Sequence, residues 1–177
     1  MDWDPLYNSV RIAAISCFLV FFTGIFAAYY VARLPRWIKG VLDVVLTLPM
    51  VLPPTVVGYF ILLLFGVKRP LGMFLSQFGI KFVMTWYGGI LAASVVAFPL
   101  MYRNTRAAFE QVDTNLIYAA RTLGMSEWKI FWKVVIPSAG PGVLSGTVLA
   151  FARALGEYGA TSMLAGNIPG RNREKDS

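Results

Sequence analysis

Three stretches of this chain hold no charged residue and are each long enough to cross a bilayer: Ile12 to Ala32, Val44 to Val67 and Phe82 to Tyr102. A helical span needs about 20 apolar residues, so these runs restrict the chain to folds that place helices in lipid. Composition agrees. Of the 177 residues, 57% are hydrophobic and 14% charged, where soluble domains have roughly 45–50% and about a quarter. The expected fold is all-α, a polytopic helical membrane protein. With no histidine and a single cysteine, Cys17, the chain has no disulfide of its own and no imidazole or thiolate cluster for a metal centre. No metal site or cofactor is expected, and redox and metal enzymes fall far down the list of readings. Cys17, inside the first run, reads as an inert lipid-facing or packing thiol. The net charge of +7 could suggest nucleic acid, but in a membrane protein it reflects basic loops that set orientation.

The N-terminal MDWDPLYNSV is acidic and polar, unlike a secretory signal, and the following run exceeds a signal core in length, so it reads as a permanent span over 12–32. The second, 44–67, carries Pro49, Pro53, Pro54 and Gly58. Each proline removes a backbone donor and crowds the preceding turn. Pro53 and Pro54 suit a first helical turn, with the better-formed helix running from Thr55 to Phe65. The segment reads either as a proline-kinked bundle helix or as a broken span, which is tolerated at membrane depth only where protein or water covers it. The third span, 82–102, places Trp86 and Tyr87 at an interfacial belt and offers small residues, Gly88, Gly89, Ala92, Ala93, Ser94 and Ala97, for close packing. A fourth, 143–164, is interrupted by Arg153 and Glu157.

Residues 103–138 differ in kind: charges are frequent and apolar residues are spaced, as in an amphipathic loop outside the bilayer. With the N-terminus outside, Arg33, Arg36, Lys39, Arg103, Arg106, Arg121, Lys129 and Lys133 lie inside, against Arg11, Lys68, Arg69 and Lys81 outside. The loop is then cytoplasmic, although Arg171, Arg173 and Lys175 of the tail fall on the wrong side. Asp113 can cap a helix over TNLIYAARTL, which Gly124 ends in the left-handed conformation. Ser126 caps a second helix, EWKIFWKVVI, which Pro137 terminates. Leu116, Ala119, Ala120 and Leu123 form a small-residue stripe suited to a groove on another protein. The second helix reads equally as an interfacial anchor, with Trp128, Trp132, Lys129 and Lys133 against lipid.

Arg153 and Glu157 are four apart and share a helix face, and a charge at the bilayer centre costs about 2.5–3.5 kcal/mol on insertion scales. They face away from lipid, either as a structural ion pair or beside an anion path where Glu157 keeps Arg153 from trapping the anion. Pro53 and Pro54 join them as candidates for a translocation pathway or its gate.

Ala119, Ala120, Gly124 and, after nine residues, the end Val134, Val135, Ile136, Pro137 resemble the docking-loop signature of the membrane subunits of ATP-binding-cassette importers. Tyr118 stands where that signature commonly has glutamate, so the contact made by that carboxylate does not carry over. The segments Leu48–Gly66, Val95–Glu110 and Phe151–Gly170 resemble the molybdate permease branch, with the sulfate permeases less close. The resemblance implies a type I importer permease fold and a homodimer in the bacterial cytoplasmic membrane. It also implies an external molybdate-binding protein that delivers the oxyanion, and a cytoplasmic ATPase that receives a coupling loop over 103–138. Ala119, Ala120, Arg121, Leu123, Gly124 and Pro137 then carry the coupling. Tungstate and sulfate stay open as substrates. The family continues past the NIPG segment, whereas this chain passes from Gly170 into RNREKDS. The expectation is a truncated permease of about four spans lacking its last helix, with a non-transporting fragment as the alternative.

Overall fold

A computed structural model of the protein describes residues 4–66, 73 and 86–165, and all the regular structure among them is helical. The elements are α1 (Asp4–Ala32), α2 (Arg36–Val51), α3 (Pro54–Phe65), α4 (Trp86–Glu110), α5 (Thr114–Thr122) and α6 (Glu127–Ile130), followed by a π-helical turn (Phe131–Val135) and α7 (Ile136–Ala165). Two helical stretches, Tyr7–Ala32 and Glu127–Glu157, are long and apolar enough to cross a membrane, and α2 with α3 makes a third if the bent pair is one span. Of the expected third span, residues 82–85 lie outside the described residues and the rest is the first part of α4. The tail from Gly166 onward also lies outside them.

Helices α1, α4 and α7 pack mutually, and their facing side chains make the core: Ile12, Val20 and Ala28 from α1, Ala97, Met101 and Tyr102 from α4, Ala150 and Ala154 from α7. Lipid supplies no hydrophobic drive between helices, so close approach of small residues and interhelical hydrogen bonds carry the packing. Both are present. A side chain on Gly142 would put its Cβ 2.4 Å from the Ala108 Cβ, and one on Gly146 would lie 3.0 Å from Asn104 Cβ and 3.3 Å from the Met101 carbonyl oxygen. Ser16 donates to the Ile90 carbonyl at 3.1 Å, and the Cys17 thiol contacts the Thr147 carbonyl at 3.7 Å. Cys17 is thus a packing thiol.

The proline-rich run is broken rather than kinked. α2 and α3 meet at 112°, because a residue followed by proline is driven out of the helical region. Leu52 (φ −73°, ψ 143°) and Pro53 (φ −56°, ψ 143°) are both extended. The helix restarts with Pro54 in its first turn, one residue before the expected Thr55.

Helix enters the expected loop from both sides. The charge-free run stops at Tyr102, yet α4 continues to Glu110, because Arg106 and Glu110 pair one turn apart at 3.1 Å and solvate the extension. Nor does Pro137 end a helix: α6, the π turn and α7 run on continuously past it. Proline crowds the carbonyl four residues earlier. Immediately before it the hydrogen bonding slips to the wider register, the Ile136 N–H donating to the Phe131 carbonyl, so that the backbone passes Pro137 without a break.

Gly142→Ala is expected to overpack the α4–α7 contact at a cost of about 1–3 kcal/mol, and Ala108→Gly in the same chain should recover part of it. Thermal unfolding of the detergent-solubilised single and double variants measures both effects.

Candidate functional site

The short helix α5 stands at the end of the bundle, closed at both termini. Asp113 is extended and its carboxylate accepts the Asn115 N–H at 2.9 Å, satisfying one of the unpaired donors of the first turn. At the other end Gly124 adopts φ +74°. Its N–H reaches the Arg121 carbonyl at 2.9 Å and the Met125 N–H reaches the Ala120 carbonyl at 3.1 Å, the two bonds of a Schellman closure. Ser126 precedes α6 in extended conformation, but its side chain makes no capping hydrogen bond.

The stripe expected on α5 divides between two faces. Ala120 is buried at 5% exposure and Ile117 packs on the core, while Leu116, Ala119 and Leu123 face outward, Leu123 being 80% exposed. Ala120 therefore seats α5 on the bundle, and the free face is Leu116, Ala119, Leu123 and the neighbouring Tyr118. Spacings of three and four place all four stripe residues on one side of a helix, but the core takes the side bearing Ala120. Pro137, grouped with α5 by the sequence, is exposed in the first turn of α7.

Two ionic clusters hold this end of the molecule. In the first, Glu127 accepts from Arg121 Nε at 2.7 Å through Oε1 and from Arg33 Nη2 at 3.1 Å through Oε2. The Arg33 guanidinium lies 4.0 Å over the Tyr29 ring, and that ring packs edge-on against Phe131 with centroids 4.4 Å apart. One carboxylate thus links the end of α1, the last turn of α5 and the start of α6. The hydrogen bond that Arg121 donates to Glu127 raises the Arg121 pKa further above its ordinary value. In the second cluster, Arg106 pairs with Asp43 and Glu110, and Lys39 pairs with Glu110. The Tyr102 hydroxyl donates to Asp43 at 2.5 Å. The Lys39 hydrogen bond, assisted by Arg106, holds the Glu110 carboxyl below the usual carboxylate range.

The sequence reading used Arg33, Lys39 and Arg106 only to orient the chain and missed both clusters. The spacing of four between Arg106 and Glu110 is the one signal that marks the second cluster, and no such spacing marks the first. Which helix each charge reaches depends on tertiary packing.

Arg153 and Glu157 do pair, Nη1 to Oε2 at 2.7 Å, with side chains 37% and 23% exposed. They lie far along α7. Pro53 and Pro54 lie at the α2–α3 corner, and these two helices pack on α4, so the four residues grouped as a pathway or gate sit on separate elements. A cavity of about 770 Å³ between α1, α2 and α4 is lined almost wholly by apolar side chains such as Leu19, Val45 and Phe98 and contains none of these charges.

Both the sequence and the fold have counterparts among known proteins. Residues 21–172 match the model of the binding-protein-dependent transport system inner membrane component family. The chain belongs to this family. It is 44% identical to the molybdenum transport system permease protein ModB of Escherichia coli K12 over 173 residues, covering 97% of this chain and 76% of that protein. A putative molybdenum transport system permease protein, YvgM of Bacillus subtilis, is 40% identical, with 95% and 74% covered. The sulfate transport system permease protein CysW of Synechococcus elongatus is 39% identical, but over only 85% and 52%. A solved amino acid ABC transporter shares the fold with a TM-score of 0.60 at 22% identity, covering 89% of this chain and 68% of that one. The permease is accordingly an inner-membrane transport component.

Two outcomes follow for the permease. Gly124→Val forces a branched side chain into the left-handed region, at a cost of about 1–2 kcal/mol or more, and should open the α5–α6 turn to trypsin at Arg121, as limited proteolysis in detergent would reveal. Because the folded Glu110 pKa lies below that of the unfolded chain, its cluster contributes fully above the unfolded value of about 4.3 and is lost as pH falls through the folded value. Thermal melts on the acid side should therefore fall more steeply for the parent than for Glu110→Gln.

Proposed function

We propose that the chain is the membrane subunit of an ATP-driven molybdate importer, working as a homodimer that receives the oxyanion from an external binding protein. The carrying observation is the 44% identity to a molybdenum permease across 97% of the chain, and the relatives named for sulfate are covered less fully. In this reading the loop end of the bundle lies in the cytoplasm, and the free face of α5 seats in a groove of the ATPase subunit that hydrolyses ATP. The permease contributes no catalytic group.

Three features support α5 as the receiver of that motion. It is short and capped at both ends, so it moves as a unit. Its outward Leu116, Ala119 and Leu123 form an apolar, low-profile surface. And the joints behind it are stiff: Arg121 to Glu127 to Arg33 leads into α1, while Phe131, packed among Tyr29, Phe109 and Trp128, leads into α7. A push on α5 then becomes a displacement of α1 against α7 and α4, the displacement that alternating access requires. The pairing of Arg153 with Glu157 keeps the guanidinium from holding a divalent oxyanion too tightly, should the path pass along α7.

Two substitutions separate the parts of this proposal. Leu123→Glu replaces an apolar contact worth about 1.5–3 kcal/mol by a buried charge, so ATPase recovered on the tagged permease should fall at least tenfold with the bundle intact. Loss of association in the unsubstituted pair would refute the coupling role. Labelled molybdate uptake, in cells with this chain as the sole permease copy and with sulfate or tungstate as competitor, tests the substrate. Arg153→Gln and Glu157→Gln in the same assay should each lower uptake severalfold, and normal uptake in both removes α7 from the pathway.

A further inference from the structure

The end of the bundle that carries α5 also gathers tryptophans and cations the coupling surface does not use. Trp128 and Trp132 are one helical turn apart, 62% and 46% exposed, with ring centroids 5.7 Å apart in an edge-to-face contact. Trp128 rests on the buried Phe131 with centroids 6.1 Å apart, which fixes its indole facing outward. Lys129 and Lys133 repeat the one-turn spacing alongside. Both are exposed, and neither has an ion-pair partner among the described residues. Trp37, 84% exposed, and Arg36, exposed and likewise unpaired, sit at the start of α2. The Arg33–Glu127 contact sets the two groups at one level, because Arg33 stands three residues before Arg36 and Glu127 stands just before Trp128.

We infer that the strip formed by Trp128, Lys129, Trp132 and Lys133 is a binding site for the headgroup of an anionic phospholipid. The strip lies on the helical stretch that continues as the span Glu127–Glu157, and the apolar Val134, Val135 and Ile136 follow it directly. It is therefore placed at the hydrocarbon boundary rather than on the projecting α5. Indoles favour that boundary, where the ring is apolar and the N–H finds an ester or phosphate oxygen. Two lysines one turn apart, with no carboxylate to neutralise them, complement a phosphate monoanion. The coupling face of α5 is different in character, being apolar with small or aliphatic side chains, so the two surfaces serve different partners. Trp37 and Arg36 extend the same chemistry to α2.

The test uses the full chain with Trp3, Trp37 and Trp86 changed to Phe, leaving Trp128 and Trp132 as reporters, in nanodiscs of phosphatidylcholine doped with brominated phosphatidylglycerol or brominated phosphatidylcholine. Brominated phosphatidylglycerol should quench the indoles at a markedly lower mole fraction than brominated phosphatidylcholine, and added salt should narrow the gap. Lys129→Gln with Lys133→Gln should raise the half-quenching fraction of the anionic lipid by about tenfold to thirtyfold, the loss expected for two juxtamembrane charges. Lys129→Arg with Lys133→Arg should leave it near the parent value. Equal quenching of the parent by the two lipids overturns the site whatever the variants do, as does an unchanged half-quenching fraction in the Gln pair. The readout is independent of ATP and molybdate, so it stands or falls separately from the transport reading.

Discussion

The seam between α4 and α7 is the constraint on which the remaining architecture depends. Gly142 meets Ala108 and Gly146 meets the backbone at Met101, so these helices approach more closely than any larger residue would allow. In lipid this closeness has no hydrophobic substitute. It positions Met101 and Tyr102 in the centre, where α1 closes over them with Gly24 at Met101. Once α1, α4 and α7 are fixed, the ends of α1 and α4 and the start of α6 lie close enough for their charges to meet.

The polar end of the molecule is then organised by carboxylates that each bridge two cations. Glu127 and Glu110 each serve two cations from different parts of the chain, Glu127 taking Arg33 and Arg121, Glu110 taking Lys39 and Arg106. Exposed pairs of this kind contribute little stability singly, about 0–1 kcal/mol. Their value here is geometric, since each carboxylate ties together elements from different parts of the chain. Asp43, taking Tyr102 and Arg106, adds a second polar tie between α2 and α4.

Local chemistry was legible in the sequence and tertiary choice was not. Pro53–Pro54 announced a helix restart, Asp113 a cap and Gly124 a left-handed closure, because each acts on its own backbone within a few residues. The Arg153–Glu157 pair followed from a spacing of four. Which part of α5 the core would take could not be read, since the helical period groups Leu116, Ala119, Ala120 and Leu123 on one side without saying which of them is buried. Charge-free runs also understate helix length: α4 outlasts its apolar run by the segment Arg103–Glu110. Pro137 misled in the same direction, because a proline that ends a regular helix is accommodated when the preceding turn widens. The cross-helix ion pairs needed the assembled bundle.

That widened turn has a consequence for the rotational phase of everything beyond it. A π turn accommodates one residue more than the α-helix it interrupts, so it resets the angle at which α7 presents its side chains by about 100°, the angle between successive helical residues. Phe131, ahead of the turn, points into the Tyr29 and Phe109 cluster, and Gly142 and Gly146, beyond it, point at α4. Both alignments hold together only through that offset. The length of the segment from Phe131 to Val135 is therefore as tightly constrained as its composition: removal of one residue would leave every other side chain in place along the chain yet turn the glycines away from the helix they receive.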